Sequence, residues 1–491
     1  MSPKRFVQDT LGLAGSQYAA RAVLLARGVL AAAALGPAGF GGWNALNLIL
    51  DYGSYASVGV LQGLDLRLPA ATERGDGAES RRLLAAAWGV VLAGGLAFAL
   101  LVAALFASGR PALLSQLGWG PPLLILAAAL LQLVLQYHGS ALRARGRFGA
   151  WSGSAAAQAL LGGGLGIALV GRFGIPGLLW GWLAGTVVAV AWVRIAAPDV
   201  PLRPGAPAGG VDLVRGGFVV FGSFAVSLVL RSLDRLAFIH YGAAADLGAY
   251  SLGLMAAGLV LYLPEAAAAV LYPRIVAAAH GARDPVRTRA QVVRAHHALV
   301  LLLPLAVAVA MVWVAPALAW WLPRYRAAAE AVRLLALGAL LLSASTLPGY
   351  WLLGSGRARP LLLAGLASAA VTAALVFAVA ARAPRPSPVA AAACAGYGIF
   401  AASIVALAAR DLRPGGPGGA LVFAVSSFLP ALWAAAVAFA ACRVGPAASV
   451  PAALARTAVV ALVYAPVMGW LGRGVGLRAL AGQWVRGEGG A

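Results

Sequence analysis

Long apolar runs separated by short polar segments constrain this chain more than any other feature of its sequence. The chain has 491 residues, of which 62% are hydrophobic and 11% are charged. A helix of about 20 apolar residues spans the hydrocarbon layer of a bilayer, and it satisfies its own backbone hydrogen bonds there. The sequence contains about 14 such runs, without the alternating pattern of a membrane β-strand. We therefore predict an all-α, polytopic membrane protein with about 14 transmembrane helices.

Charged residues interrupt several of these runs and give the first indication of function. They are Arg21, Arg27, Asp51, Arg231, Asp234, Arg235 and Glu265. A charge near the middle of a bilayer costs about 2.5–3.5 kcal/mol, so such residues usually face a polar cavity or a partner. Arginines outnumber acids in this set, which indicates an anionic cargo. A guanidinium stays charged inside a membrane cavity, and its planar fork can bind two phosphate oxygens.

Helical spacing predicts which of these charges lie together. If the apolar run 216–240 is one helix, Arg231, Asp234 and Arg235 share one of its faces. Asp51 lies in the second predicted span, at a depth where it could pair with an arginine of the first. The alternative interpretation is that these residues form structural ion pairs, because buried charges usually have partners. The excess of arginine argues against that interpretation for the whole set.

The formal net charge of +22 reflects membrane orientation. The arginines concentrate in alternate loops, so the positive-inside rule predicts that both termini are cytoplasmic. The sequence contains no basic stripe interleaved with aromatic residues, which is the pattern that would indicate nucleic-acid binding. The two cysteines, Cys394 and Cys442, form no C-x-x-C motif. No metal site, cofactor site or catalytic pair of nucleophile and base is predicted.

Internal similarity predicts two related halves. Gly41-Gly42-Trp43 corresponds to Gly248-Ala249-Tyr250, and Arg67 corresponds to Arg274 at the same offset. Six spans separate the copies, which predicts a parallel repeat about a pseudo-two-fold axis along the membrane normal. The segment 198–210 is rich in proline and glycine and is interpreted as the linker between the halves. The predicted parts are a six-helix lobe over 1–200, a second six-helix lobe over 211–410, and two further transmembrane helices with a cytoplasmic tail over 411–491.

A run of glycines at 162–166 superficially resembles a phosphate-binding loop. It lies inside an apolar span, however, and has the composition of a helix surface that lets two backbones approach closely. Close helix packing is therefore predicted for this run.

Five segments contain recognisable motifs: Tyr18 to Gly28, Leu35 to Gly41, Ser232 to Arg235, Leu247 to Ser251, and Tyr272 to Arg274. These motifs resemble those of bacterial oligosaccharide flippases, members of the multidrug/oligosaccharidyl-lipid/polysaccharide exporter superfamily. The resemblance implies two six-helix lobes around a cavity that opens alternately to the two sides of the membrane. It also implies that the chain is a transporter and not an enzyme.

The implied cargo is a polyprenyl-diphosphate-linked oligosaccharide. It would move from the cytoplasmic to the outer leaflet of the bacterial inner membrane, as in the biosynthesis of O-antigen, lipopolysaccharide and other cell-envelope polysaccharides. The implied diphosphate-binding residues are Arg21, Arg27, Arg231 and Arg235. The residues implied in ion coupling or ion pairing are Asp51, Asp234 and Glu265. Membrane lipids, and a polysaccharide polymerase or ligase, are the implied partners.

Two other functions compete with this one. A drug or metabolite exporter of the same superfamily would need acids in its cavity to bind cationic drugs, and the excess of arginine disfavours it. A membrane glycosyltransferase or polysaccharide polymerase would need a sizeable outward loop with carboxylates for general base chemistry. The predicted outward loops are short and contain few carboxylates.

Overall fold

The computed structural model describes the backbone of 3–109, 114, 116–281, 283–413, 416–445 and 448–475, and the side chains of 22–109, 114, 116–281, 283–413, 418–445 and 448–469. Within these residues the chain forms 15 α-helices and no β-strand. Thirteen of the described helices are long and apolar enough to cross a membrane. The prediction of an all-α, polytopic membrane protein is confirmed.

The chain divides into two compact units, Met1–Gly248 and Ala249–Ala491. The first unit contains α1 (Pro3–Gly53), α2 (Val60–Glu73), α3 (Gly77–Ala107), α4 (Gly120–Ala144), α5 (Phe148–Phe173), α6 (Ile175–Ala196), α7 (Pro207–Leu230) and α8 (Leu233–Tyr241). Helix α9 (Ala244–Ala279) begins in the first unit and continues into the second. The second unit contains α10 (Pro285–Trp321), a 3-10 helix (Pro323–Ala328), α11 (Ala329–Gly354), α12 (Ala358–Arg382), α13 (Pro386–Leu412), α14 (Gly416–Cys442) and α15 (Val450–Val475).

Two spans that hydropathy predicted as continuous are interrupted. Hydropathy predicts the second span over 40–64, but the helix stops at the end of α1 and resumes at Val60, after the turn 54–59. The predicted span 216–240 stops at Leu230 and resumes at Leu233. The prediction of two unbroken helices is wrong at these places, because apolar composition is the same in a helix and in a buried turn.

Helix α1 bends where glycine and proline follow each other. Gly36 has φ 67° and ψ 179°, a conformation that breaks the helical path and that only glycine adopts without steric cost. Pro37 follows and has no N–H to donate to the preceding turn. Glycine followed by proline predicts a tight turn between two separate spans at this point, whereas the structure has a sharp kink within one long helix.

The corresponding glycines of the predicted repeat lie against each other. A Cβ atom on Gly41 would overlap the carbonyl oxygen of Ala244, and one on Gly248 would overlap the carbonyl oxygen of Pro37. The second half of α1 and the start of α9 therefore cross with their backbones in contact. The limits of the two lobes stay a prediction.

The segment predicted as a linker is packed onto the first unit. The Tyr137 hydroxyl donates to the carbonyl oxygen of Pro201 at 2.7 Å, and the Gly205 N–H donates to Ala85 at 2.8 Å. Arg145 and Asp199 form an ion pair at 2.6 Å, and this guanidinium holds the pKa of the Asp199 carboxyl below its usual value. Because the segment is held on α3 and α4, helix α7 packs against α2 and α3, and the compact unit extends beyond residue 200.

The last two helices are built into the second unit through α10. The Tyr464 hydroxyl of α15 donates to the Leu301 carbonyl oxygen at 2.7 Å, and the Trp313 indole N–H donates to the Thr457 hydroxyl at 3.0 Å. Both bonds satisfy polar groups that lipid could not. Helix α14 also packs directly against α10.

Glycines bring α5 and α6 into backbone contact. A Cβ atom on Gly185 would lie 2.6 Å from the Gly162 Cα, and one on Gly181 would overlap the backbone of Gly166. The close packing predicted for the run 162–166 is confirmed for these two glycines of the run. Gly164, by contrast, has open space around the position of a Cβ.

We expect alanine at Gly181 and at Gly164 to change stability in opposite directions. Gly181→Ala pushes a methyl group into the backbone of α5 and should lower the free energy of unfolding by about 1–3 kcal/mol. The methyl group of Gly164→Ala would contact no neighbouring atom. This substitution should raise the free energy of unfolding by up to about 1 kcal/mol, because alanine is the better helix former. Thermal unfolding of the purified variants in detergent measures both. Equal effects of the two substitutions would contradict the close packing of α5 and α6.

Candidate binding site at two interrupted helices

The first interruption is a tight turn between α1 and α2. The backbone N–H groups of Ser54, Tyr55, Ala56, Val58 and Val60 bond to carbonyl oxygens three or four residues earlier, at 3.0–3.1 Å. Val58 has φ 47° and Gly59 has φ 87°. A β-branched residue rarely adopts positive φ, and such strain concentrates at functional positions.

The second interruption separates α7 from α8. Arg231 is the C-cap of α7, with φ −84° and ψ 3°, and Ser232 precedes α8 with φ −122° and ψ −8°. Asp234 lies in the first turn of α8 and is buried. Its carboxylate accepts the backbone N–H of Arg235 at 2.7 Å, and a negative charge is favourable at a helix N-terminus.

A hydrogen bond joins the two interruptions. The Tyr52 hydroxyl lies 2.6 Å from the Ser232 hydroxyl, which is fully buried. Ser232 donates its own proton to the Val229 carbonyl oxygen at 3.0 Å, so Tyr52 is the donor to Ser232. The rings of Tyr55 in the turn and Phe221 on α7 pack against each other, with centroids 5.9 Å apart.

An ion pair joins the same two elements. The Arg235 guanidinium on α8 contacts the Asp51 carboxylate on α1 at 3.0 Å. The Arg235 side chain is 13% exposed and the Asp51 side chain 38%, so the pair is sheltered but its carboxylate is accessible. Removing Arg235 alone would leave the Asp51 carboxylate without this partner, and removing both charges would not.

Glycines allow α2 and α7 to approach closely enough for these contacts. A Cβ atom on Gly63 would overlap the backbone carbonyl of Leu213, and one on Gly217 would overlap the carbonyl oxygen of Gly59. Any side chain at either position would separate the two helices. The interruptions are therefore held together by backbone contact as well as by polar bonds.

Arg27 forms a second feature of the first unit. Its side chain is 6% exposed and its guanidinium lies over two indole rings, 5.1 Å from the centroid of Trp43 and 4.8 Å from that of Trp182. Its Nε has no hydrogen-bond partner among the described residues. Indole faces stabilise a cation but do not neutralise it, so a positive charge remains here.

The predicted site residues are only partly brought together. Asp51 pairs with Arg235, and not with Arg27 of the first span. The interruption after Leu230 means that Arg231 does not share a helical face with the other two charges of its motif, so that part of the prediction is wrong. Glu265 lies on α9 in the second unit and is half-buried. The side chain of Arg21 is outside the described residues.

Sequence reasoning gave no role to Tyr52, Ser232, Trp43 or Trp182. Ser232 and Trp43 lie within segments whose motifs were recognised, but the partner of the Ser232 hydroxyl is 180 residues away, and the Trp43 ring contacts Arg27 on the other side of the kink in α1. Tyr52 follows Asp51 directly, which is a weak signal on its own. No group of three or more histidine, cysteine, aspartate or glutamate side chains in the described part of the chain could hold a metal ion.

No protein-family model matches the sequence, and no curated protein matches it. The fold is similar to that of the lipid II flippase MurJ in an inward closed conformation, with a TM-score of 0.71 and 12% identity over 95% of this chain and 99% of MurJ. The fold is also similar to that of a multidrug resistance MATE family transporter of the MOP superfamily in an inward-facing conformation. The TM-score is 0.61 and the identity 16%, over 85% of this chain and 95% of that transporter. For a mutant of the Vibrio cholerae MATE transporter VcmN, the TM-score is 0.55 and the identity 18%, over 83% of this chain and 99% of VcmN.

The chain has the fold of these transporters. The sequence identities are low, so the similarity describes the arrangement of helices and does not identify a substrate. It agrees with the predicted multi-pass, all-helical architecture over nearly the whole chain.

Removing the Tyr52 hydroxyl should weaken the junction of the two interruptions. We expect Tyr52→Phe to lower the free energy of unfolding by about 1 kcal/mol, the usual net value of a hydrogen bond. Tyr55→Phe is the matched control, because the Tyr55 hydroxyl donates to no described residue. A double-mutant cycle with Ser232→Ala should give a coupling energy of about 1 kcal/mol. Strictly additive effects would contradict the bond.

Proposed function

We propose that this chain is a flippase that moves a polyprenyl-diphosphate-linked oligosaccharide from the cytoplasmic to the outer leaflet by alternating access. The observation that carries the proposal is the group of arginines at the interrupted helices, within the apolar part of the chain. Discontinuous membrane helices form substrate and ion sites in many transporters, because their ends expose polar groups in an otherwise apolar region. The similarity in fold to the lipid II flippase MurJ supports a lipid-linked cargo.

Arg27 supports an anionic cargo because of what surrounds it. Its guanidinium lies over the rings of Trp43 and Trp182, and no described carboxylate lies within ion-pair distance. A charge in a medium of low dielectric constant acts over a longer distance than one in water. Arg27 would therefore attract a diphosphate while it is buried, and it would contact one when the surrounding helices rearrange.

Arg235 would bind the diphosphate by exchanging partners. In the present structure Asp51 occupies its guanidinium. A diphosphate offers more oxygens and more negative charge than a carboxylate, so it would displace Asp51, which is partly exposed and free to withdraw. Protonation of Asp51, or a sodium ion beside it, would favour the exchange and couple it to an ion gradient. Asp234 and Glu265 are the further candidates for coupling, while Arg21 and Arg231 are the further candidates for the diphosphate.

The biosynthetic role that we propose is the export of glycan precursors such as those of O-antigen, lipopolysaccharide or another cell-envelope polysaccharide. The location would be the bacterial inner membrane with both termini cytoplasmic, as the distribution of arginine predicts. A polysaccharide polymerase or ligase would then receive the cargo at the outer leaflet.

A drug or metabolite exporter is the second candidate function, because the fold is also similar to that of a multidrug resistance MATE transporter. Cationic drugs would need carboxylates available for binding. Asp51 is paired with Arg235, and Asp234 is buried and bonded to the backbone. Transport of cationic drugs without binding of diphosphate lipids would favour this function.

A neutral double substitution separates substrate binding from structural pairing. Arg235→Gln should abolish transport of the diphosphate lipid into the outer leaflet of proteoliposomes. Adding Asp51→Asn removes the unpaired carboxylate and should restore the stability that was lost, but it should not restore transport. Thermal unfolding and transport are measured on the same preparations. If the double variant transports like the wild type, Arg235 serves only to pair with Asp51.

Binding measurements test the role of Arg27 directly. We expect Arg27→Gln to weaken binding of a polyprenyl-diphosphate oligosaccharide by about tenfold or more, since a hydrogen bond to a charged group contributes about 1.5–3 kcal/mol. Native mass spectrometry in detergent measures this, with the monophosphate lipid as the comparison ligand. Arg172→Gln is the matched control, because Arg172 lies exposed at the end of α5 against Phe173. Equal affinity of wild type and Arg27→Gln for the diphosphate lipid would remove Arg27 from the site.

A further inference from the structure

A groove of about 460 Å³ lies between α12 and α13 in the second unit, and none of the charged residues of the candidate binding site lines it. Its lining residues are Arg357, Ala364, Ser403, Ala406, Leu407 and Arg410. The groove has a basic end and an apolar remainder, and the proposed transport function uses none of these residues.

The order of these residues along the helices gives the groove its direction. Arg357 is the N-cap of α12, and Arg410 lies in the last turn of α13, so both arginines stand at the same end of a helix pair. Ser403, Leu407 and Arg410 follow one face of α13 at helical spacing, and Ala364 lies seven residues beyond Arg357. At a rise of 1.5 Å per residue, the groove extends about 10 Å from the arginines into the apolar part of the helices.

The surface beside the groove is one that lipid would cover. Leu363 is 67% exposed and Leu366 49% exposed, within a helix that is apolar enough to span a membrane. Large exposed apolar side chains in such a helix face acyl chains. A molecule in the groove would therefore be reached from the bilayer.

The charge at the basic end is only partly balanced. Arg357 forms an ion pair with Asp411 at 2.5 Å, and no ion pair of Arg410 with a described residue exists. One positive charge is thus left for a ligand, next to a second arginine whose remaining N–H groups can donate. A single phosphate group complements this arrangement.

We infer that this groove binds an anionic glycerophospholipid of the cytoplasmic leaflet. The phosphate bonds to Arg410 and Arg357, and the start of one acyl chain lies along Ala364, Ala406 and Leu407. The distribution of arginine predicts that this end of the helices is cytoplasmic, the side on which anionic lipids attract basic groups. The bound lipid is a resident of the protein surface and does not depend on the identity of the transported cargo.

Native mass spectrometry of the purified full chain tests the inference with two lipids of equal chain length, phosphatidylglycerol and phosphatidylcholine. We expect the wild type to retain phosphatidylglycerol in preference to phosphatidylcholine. Arg357→Gln with Arg410→Gln should reduce retention of phosphatidylglycerol by about tenfold, since each arginine near a membrane surface contributes to lipid binding. Ala406→Trp leaves both charges in place, fills the groove, and should reduce retention similarly.

The same two helices supply the matched control. Arg382→Gln with Arg385→Gln removes two arginines from the opposite ends of α12 and α13 and should leave retention unchanged. Arg410→Gln alone preserves the pair of Arg357 with Asp411 and shows whether any loss follows from unfolding. Equal loss in the control variant, or full retention in Ala406→Trp, would overturn the inference, because binding would then reflect net charge alone.

Discussion

A helix that stops inside a membrane leaves backbone groups that lipid cannot satisfy, and the first unit depends on how this constraint is met. Each such group costs several kcal/mol when it has no partner. Four N–H groups of the turn 54–59, those of Ser54, Tyr55, Ala56 and Val58, bond to nearby carbonyl oxygens. Tyr52 and Ser232 then join this turn to the interruption between α7 and α8. Polar residues at one interruption thus serve as the partners of the other.

The same geometry explains why charged side chains are tolerated here. Asp51 and Arg235 come from distant segments and neutralise each other, while Arg27 is stabilised by Trp43 and Trp182 without being neutralised. These are two different physical states of buried arginine. A paired arginine can exchange its partner for a substrate, and an unpaired one supplies a field that attracts an anion. Both properties suit a phosphate-bearing cargo, which is the basis of the proposed function.

Local sequence patterns predicted much of the fold. The apolar runs predicted the helices, and the glycine run 162–166 predicted the close approach of α5 to another helix, which is α6. Hydropathy failed at the turn 54–59 and at 231–232, because it measures transfer to lipid and does not register backbone conformation. The consequence reached the site, since the helical spacing of Arg231 and Asp234 has no meaning across an interruption. The linker was judged from its proline and glycine content, and its bonds to Tyr137 and Ala85 could not be read locally.

The sequence by itself determined that this chain is an all-helical membrane protein and which residues carry charge within its apolar runs. These properties follow from composition and spacing, which act over one or two helical turns. Only the tertiary structure decided that Asp51 pairs with Arg235, that Tyr52 bonds to Ser232, and that the Arg27 guanidinium lies over the rings of Trp43 and Trp182. Most of these contacts join residues far apart in the chain, as with Tyr52 and Ser232, which are separated by 180 residues. They depend on which helices pack together, and no local pattern specifies that.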